Sequence, residues 1–310
     1  NVLKKVLKET GFEEAAVFSP TSSDGYEGIS SNQNRFMRTA WRSLLIADML
    51  RKLRHMFRPY EAEQGNTEEV FNESMEDLTE ILADSALSSA KELRFLVRAL
   101  RSTGERFAAI PLEKELGSRP LIGIVGEIFL RFNTFGNQDI IRRIEKMGGE
   151  VWMTPIAEWV WYTNWEERRK LREAGRTFSL ESLSCRIRHW IQAADSRALH
   201  RPLKKVLRHR PEIPVERILA HSHDYLPPNK SLGEMTLNGG GVIAFREHGC
   251  HGVIDISPFS CMNGIVTEAV YPRISREHDD FPVRIFYFDG VVTDVDSHLE
   301  IFLEQVKGYR

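Results

Sequence analysis

Leu121-Ile-Gly-Ile-Val125 is a run of five residues without a polar side chain, entered from Gly117-Ser-Arg-Pro120 and left at Gly126-Glu127. A short apolar run bounded by turn residues reads as a strand covered on both faces of a sheet. Outward from it the pattern repeats. A helical stretch from Asp139 to Met147 stops at Gly148-Gly149, and Glu150-Val-Trp-Met-Thr154 is the next strand before Pro155, which completes a βαβ unit. Further on, a helix from Leu232 to His248 ends at Gly249, and Gly252-Val-Ile-Asp-Ile256 is a strand. A helix from Gly264 to Arg276, the strand Val283-Arg-Ile-Phe-Tyr287 and a helix from Asp296 to Lys307 close the chain. Alternating strands and helices predict an α/β domain over residues 119–310: a doubly wound, mostly parallel, Rossmann-like sheet with a helical insertion at about 165–217. Ligands of such sheets bind at the carboxyl ends of the strands. Here those ends carry Gly126-Glu127, Pro155 to Glu158, Ser257 to Gly264, and Asp289-Gly290.

The first 118 residues read differently. Val2, Leu3, Val6 and Leu7 have helical spacing and Gly11 supplies a stop; Ala15-Ala-Val-Phe18 then reads as a strand stub before the turn-rich Ser19 to Tyr26. A lone strand needs partners: either it joins a sheet made later in this chain or its neighbours lie upstream, and the second is favoured, so residues 1–66 are expected to complete an upstream α/β domain of a longer protein. Residues 67–118 are expected to form a helical connector. Trp41, Leu44, Leu45, Met49, Leu53 and Met56 stripe one helix that ends before Pro59. Met75, Leu78, Ile81, Leu82, Leu93, Leu96, Val97 and Leu100 stripe a second long one, from Asn72 to Ser102-Thr-Gly104.

The chain has 310 residues, with 42 Lys and Arg against 44 Asp and Glu. That balance excludes a globally basic nucleic-acid coat or membrane-surface protein. No apolar run approaches a membrane span, the opening residues carry no secretory pattern, and three cysteines cannot build a disulfide framework, so a cytoplasmic location is expected.

Cys261, in Pro258-Phe-Ser-Cys-Met-Asn-Gly264, leaves a buried strand and enters a helix, where the dipole and free N–H groups favour a thiolate. It reads either as a nucleophile or metal ligand, or as a small buried hydrophobe. Asp255-Ile-Ser-Pro-Phe-Ser-Cys-Met262, preceded by Gly249-Cys-His-Gly-Val253, resembles the 2-hydroxyacyl-CoA dehydratase D-component-like family. The likeness is to the carboxyl-terminal region of its large members fused to CoA-enzyme activase ATPase domains. Leu121 to Asn133, Gly149 to Pro155 with Glu158-Trp159, Val17 to Pro20, Arg58 to Glu61 and Phe288-Asp-Gly290 extend the likeness over most of the chain. The resemblance implies an oxygen-sensitive iron-sulfur protein that receives low-potential electrons from an ATP-hydrolysing activase and acts as a dehydratase on 2-hydroxyacyl-CoA or as a reductase. Carried over by position, Cys261 would be a cluster ligand. A cubane usually takes four thiolates, and Cys185 and Cys250 are poorly placed, so further ligands are expected upstream. The competing reading is a cluster-free, dehydratase-like interaction domain that docks to activase domains of the same protein.

Other groups bear weighing. Glu127, Glu158 and Asp289 either converge as acid and base in one crevice, or each caps a helix or pairs with an arginine. Arg131 and Asn133 either bind substrate, such as an acyl-CoA, or fix their loop. His221-Ser-His223-Asp224 offers imidazoles to zinc or iron, and a third class of function would be a metal hydrolase; a polar loop is the plainer account. His248-Gly-Cys-His251 is similar in kind. Asn238-Gly-Gly-Gly241 follows no strand, so it reads as close packing inside a helix rather than a phosphate loop. The insertion is locally basic, with Arg168 to Arg172, Arg186, Arg188, Lys204, Lys205 and Arg208 to Arg210. Leu180, Leu183, Ile187, Trp190 and Ile191 form its expected core stripe. That surface reads as solvated, or as a contact for CoA phosphates or an acidic partner, with nucleic acid last.

Overall fold

The computed structural model describes residues 2–17, 33–231, 233–291 and 294–309. The chain divides into a first unit, residues 1–42, and a second, residues 43–310. In chain order the helices and strands are α1 (Val2–Glu9), α2 (Gln33–Phe57), α3 (Asn66–Ala83), α4 (Ser89–Ala108), β1 (Leu121–Gly126), α5 (Ile128–Phe132), α6 (Ile140–Lys146) and β2 (Glu150–Met153). They continue with α7 (Ala157–Glu173), α8 (Leu180–His200), α9 (Val215–Ser222), α10 (Glu234–Glu247), β3 (Gly252–Pro258), α11 (Met262–Glu277), β4 (Val283–Phe288) and α12 (Val295–Tyr309). No described helix is long and apolar enough to cross a membrane.

In the first unit, α1 has no buried residue. Ala15 to Val17 form no strand, which removes the described part of the expected stub; Phe18 and the Ser19–Tyr26 loop lie outside the described residues.

The second unit is α/β. Its four strands are all parallel, in the order β2-β1-β3-β4. Alternate residues of each strand enter different cores, which is why the strands read as unbroken apolar runs. Ile122, Ile124, Val151, Met153, Ile254 and Ile256 pack with residues of α6 and α12 on one face. Leu121, Val125, Trp152 and Val253 pack with residues of α10 and α11 on the other. The sheet is therefore doubly wound. The chain leaves β1 towards β2 and leaves β3 towards β4 in opposite directions, so the topological switch point lies between β1 and β3.

Two helix expectations are corrected. The long helix expected from Asn72 to Gly104 is two helices, α3 and α4. Asp84 Oδ1 accepts from Ala86 N at 2.8 Å and Ser88 caps α4 through Lys91 N at 3.4 Å, so local side-chain hydrogen bonds break the run between them. The α8 stripe is the second. Leu180, Leu183, Ile187 and Trp190 are exposed, while Ser182, Cys185, Asp195 and Leu199 face inward.

The glycine run Gly239-Gly-Gly241 lies inside α10, and close packing is what uses it. A Cβ on Gly240 would stand 1.9 Å from the carbonyl oxygen of Ile218 in α9.

Candidate functional site

The switch point is held open by a glycine. Gly126 has φ +122°, and a Cβ there would meet the Ile256 carbonyl oxygen at 2.2 Å, so the end of β1 lies against β3 only without a side chain. The Glu127 amide then donates to that carbonyl at 2.9 Å, and the chain turns into α5. Helix α10 ties the two exit loops together. Asn238 Oδ1 accepts from Gly126 N at 3.1 Å, and Glu234 accepts from Ile128 N at 2.7 Å and from Asn263 Nδ2 at 3.2 Å.

Cys261 is the N-cap residue of α11, on the β3 exit, and is half-buried. Around it the carboxyl edge of the sheet presents apolar side chains to solvent. Phe259 and Met262 flank the thiol at 66% and 68% exposure, and Phe129 and Val291 are exposed after β1 and β4. Cys185 and Cys250 are buried, and burial pushes both thiols up from their ordinary range.

Each of the three carboxylates has partners of its own. Glu127 spends both oxygens capping α5, accepting from Phe129 N at 3.1 Å and Leu130 N at 2.7 Å. Asp289 accepts from Val291 N at 2.9 Å, within its own turn. Glu158 is buried, and burial pushes it up to about 7 against the opposing pull of Arg131. It borders a cavity of about 20 Å³. That is room for roughly one water and no substrate. Arg131 is buried as well. Burial draws its guanidinium down, while Glu158, Glu234, Asp255 and Asp48 hold it up. Asn133 Oδ1 accepts from Gly136 N at 2.9 Å and so shapes the loop.

The histidines are separated by their partners. His221 lies on α9 with Nε2 3.0 Å from Glu247, whereas exposed His223 pairs with Asp224 at 3.2 Å. His248 donates to the Ala244 carbonyl at 2.7 Å, and His251 Nδ1 accepts from Leu121 N at 3.0 Å. Among the described residues no group of three His, Cys, Asp or Glu side chains is arranged to hold a metal ion.

The sequence reading gives Asp255 no role of its own, although a carboxylate inside a strand buried on both faces is itself a signal. It is fully buried on the α10–α11 side of β3. Ser257 Oγ donates to it at 2.7 Å, Thr267 Oγ1 at 3.2 Å, and the Tyr271 hydroxyl also donates. Burial raises the carboxyl from its usual range, and the three hydroxyls work against that rise. The network pins α11, and with it Cys261, to β3. Tyr271→Phe removes one donor to a buried carboxyl and is expected to cost about 2 kcal/mol, read from urea unfolding. An unchanged midpoint would show that the tyrosine contributes nothing to anchoring the helix.

The fold and the edge site define a doubly wound parallel α/β protein with a cysteine at the N-terminus of a helix beside its switch point. Scans against protein-family models, curated proteins and solved structures each returned no match.

Proposed function

We propose that this chain is a redox component of the 2-hydroxyacyl-CoA dehydratase type, working in the cytoplasm with an ATP-dependent activase. It contributes Cys261 to an iron-sulfur cluster shared with polypeptide outside these 310 residues. The observation that carries the reading is the setting of Cys261: of the three cysteines only this one is not buried, and it caps a 16-residue helix at the carboxyl edge of the sheet. The apolar rim of Phe259 and Met262 suits an interface that excludes water once a partner covers it.

The fit is that of one ligand, not of a whole site. A cubane takes about four thiolates, and the described residues offer one accessible thiol and no metal-holding group. The remaining ligands belong to the upstream region or to a partner. A bound cluster supplies one-electron transfer. This chain's own part is to orient the Cys261 thiol through the Asp255 network and to brace both exit loops through Glu234 and Asn238. Water elimination from a 2-hydroxyacyl-CoA, or reduction of another substrate, belongs to the whole assembly.

Anaerobic reconstitution of the full-length protein with iron and sulfide tests this directly. Wild type is expected to bind iron and sulfide, and Cys261→Ser to lose most of both along with the visible absorption. Equal iron in the two proteins would remove Cys261 from the cluster.

One observation favours a second reading, the cluster-free interaction domain. Helix α8 and the turn before it expose Phe178, Leu180, Leu183, Ile187 and Trp190, an apolar face of the kind that marks docking surfaces. A wild-type protein that binds no iron, yet is retained by its activase, would promote that reading over the first.

A further inference from the structure

Away from the thiol, a cleft of about 340 Å³ opens at the carboxyl end of β2, lined by Met153, by α2 and by the segment from Arg131 to Arg142. Arginines dominate it: Arg51, Arg54 and Arg58 from one side, Arg131 and Arg142 from the other. Their carboxylate partners are too few for the donors they carry. Glu68 alone accepts from Arg54 at 3.0 Å, Arg58 at 2.7 Å and Arg142 at 2.8 Å. Glu145 accepts from Arg58 at 2.6 and 2.8 Å. Asp48 takes a single 3.2 Å contact from Arg51, while its oxygens also accept from Ile156 N and Ala157 N. Asp139 lies on the exposed rim. Each guanidinium carries five N–H donors, so among the described residues most of the set's donors have no protein acceptor.

A second observation is independent of that count. Arg131 is 6% exposed and lines the cleft, and its Nε is a buried donor without a hydrogen-bond partner among the described residues. Among the described residues the Arg131 guanidinium donates one long hydrogen bond, from Nη1 to the Thr154 carbonyl at 3.4 Å. A buried donor left unmade is costly, more so when charged, so a fold that keeps one gains when a ligand supplies the acceptor. The forks are also held in place, since Arg51 stacks over the Phe132 ring at 4.2 Å and Arg131 lies 5.6 Å from the same ring.

We propose that this cleft binds a phosphate group, as the free ion or on a small monoester, with Arg51, Arg131 and Arg142 as its donors. Several guanidinium forks approaching from opposite walls match a tetrahedral dianion better than a flat carboxylate. The volume is at the small end of ligand pockets, which suits the anion with a short organic group. The site uses none of the residues assigned to the cluster, so it stands or falls separately from the redox reading.

Calorimetric titration of the protein tests it, with inorganic phosphate and glycerol phosphate as probes and succinate as the carboxylate control, all at equal ionic strength. Saturable one-to-one binding is expected for the phosphate probes, at least tenfold tighter than for succinate. Tighter glycerol phosphate identifies a monoester as the ligand, and tighter inorganic phosphate identifies the free ion. Arg51→Gln and Arg142→Gln are each expected to weaken binding roughly tenfold or more, while Cys261→Ser leaves it unchanged. Arg51→Lys and Arg142→Lys keep the charge and the fold but remove the fork, and are expected to lose most of that affinity. A second basic groove, lined by Arg197, Arg201, Lys204 and Arg208, provides the control. Absence of saturable binding, equal affinity for succinate, or binding abolished by Lys204→Gln with Arg208→Gln but untouched by the Arg51 and Arg142 variants would overturn the proposal.

Discussion

Gly240→Ala is expected to destabilise the second unit by about 3 kcal/mol or more. The added methyl would stand 1.9 Å from the Ile218 carbonyl oxygen and 2.8 Å from its carbon. Those are backbone atoms of α9, so no rotamer change relieves the overlap and the helix itself must move. That helix carries buried Ile218 and Leu219, which pack with Leu237 and Ala244 of α10. The displacement therefore opens a core. Alanine's helix propensity works the other way by about 1 kcal/mol, which makes the neighbours informative. A Cβ on Gly241 meets only a side-chain methyl, Val125 Cγ1, at 3.3 Å, and one on Gly239 meets Leu226 Cδ1 at 3.2 Å. Those two substitutions are expected to stay within about 1 kcal/mol of wild type, where the propensity gain offsets a small adjustment. In thermal unfolding the contrast is a fall of roughly 6–12 °C for Gly240→Ala and little for the others. Equal stability across the three variants would mean that the two helices do not approach as closely as the geometry requires.

That glycine run shows how far the sequence reaches. Three glycines without a preceding strand signalled close packing, but the partner helix was invisible because α9 and α10 meet through tertiary contact. The sheet was legible for a related reason: strands covered on both faces admit few polar residues, so Leu121–Gly126 and Gly252–Ile256 stand out from their surroundings. Cys261 at a helix start followed from the strand-to-helix change beside it. The arginine cleft did not follow from anything local. Arg54 and Arg58 meet Arg142 only through Glu68, and Arg58 reaches Glu145 across 87 positions of sequence. Charges spread that widely read as solvated surface. The inward face of α8 was misread because its apolar stripe is the stronger pattern, whereas the buried side is made of Ser182, Cys185, Asp195 and Leu199. Periodicity finds an amphipathic helix and leaves open which side a neighbour will cover.

Glu158→Gln is expected to stabilise the protein at pH 8 and to leave it unchanged near pH 4.5. The reason lies in where the carboxyl is held. It stands in the first turn of α7, just after β2, and is buried beside Trp152, Lys52 and Glu212 around a cavity of about 20 Å³. Burial raises it from 4.5 to about 7, Glu212 and Asp48 push the same way, and Arg131 opposes them. Between pH 4.5 and about 7 the folded chain holds a proton that the unfolded chain has released. Stability therefore falls as pH rises through that window, since the state that binds more protons is favoured at lower pH. The gap corresponds to on the order of 3 kcal/mol once the group is ionised in both states. Glutamine keeps the shape and removes the charge, so the variant should lose this pH slope and gain roughly 2–3 kcal/mol at pH 8. Urea midpoints of both proteins from pH 4.5 to 8 measure it. A variant less stable than wild type at pH 8 would show that Glu158 is ionised in the fold and that its attraction to Arg131 outweighs the cost of burying it.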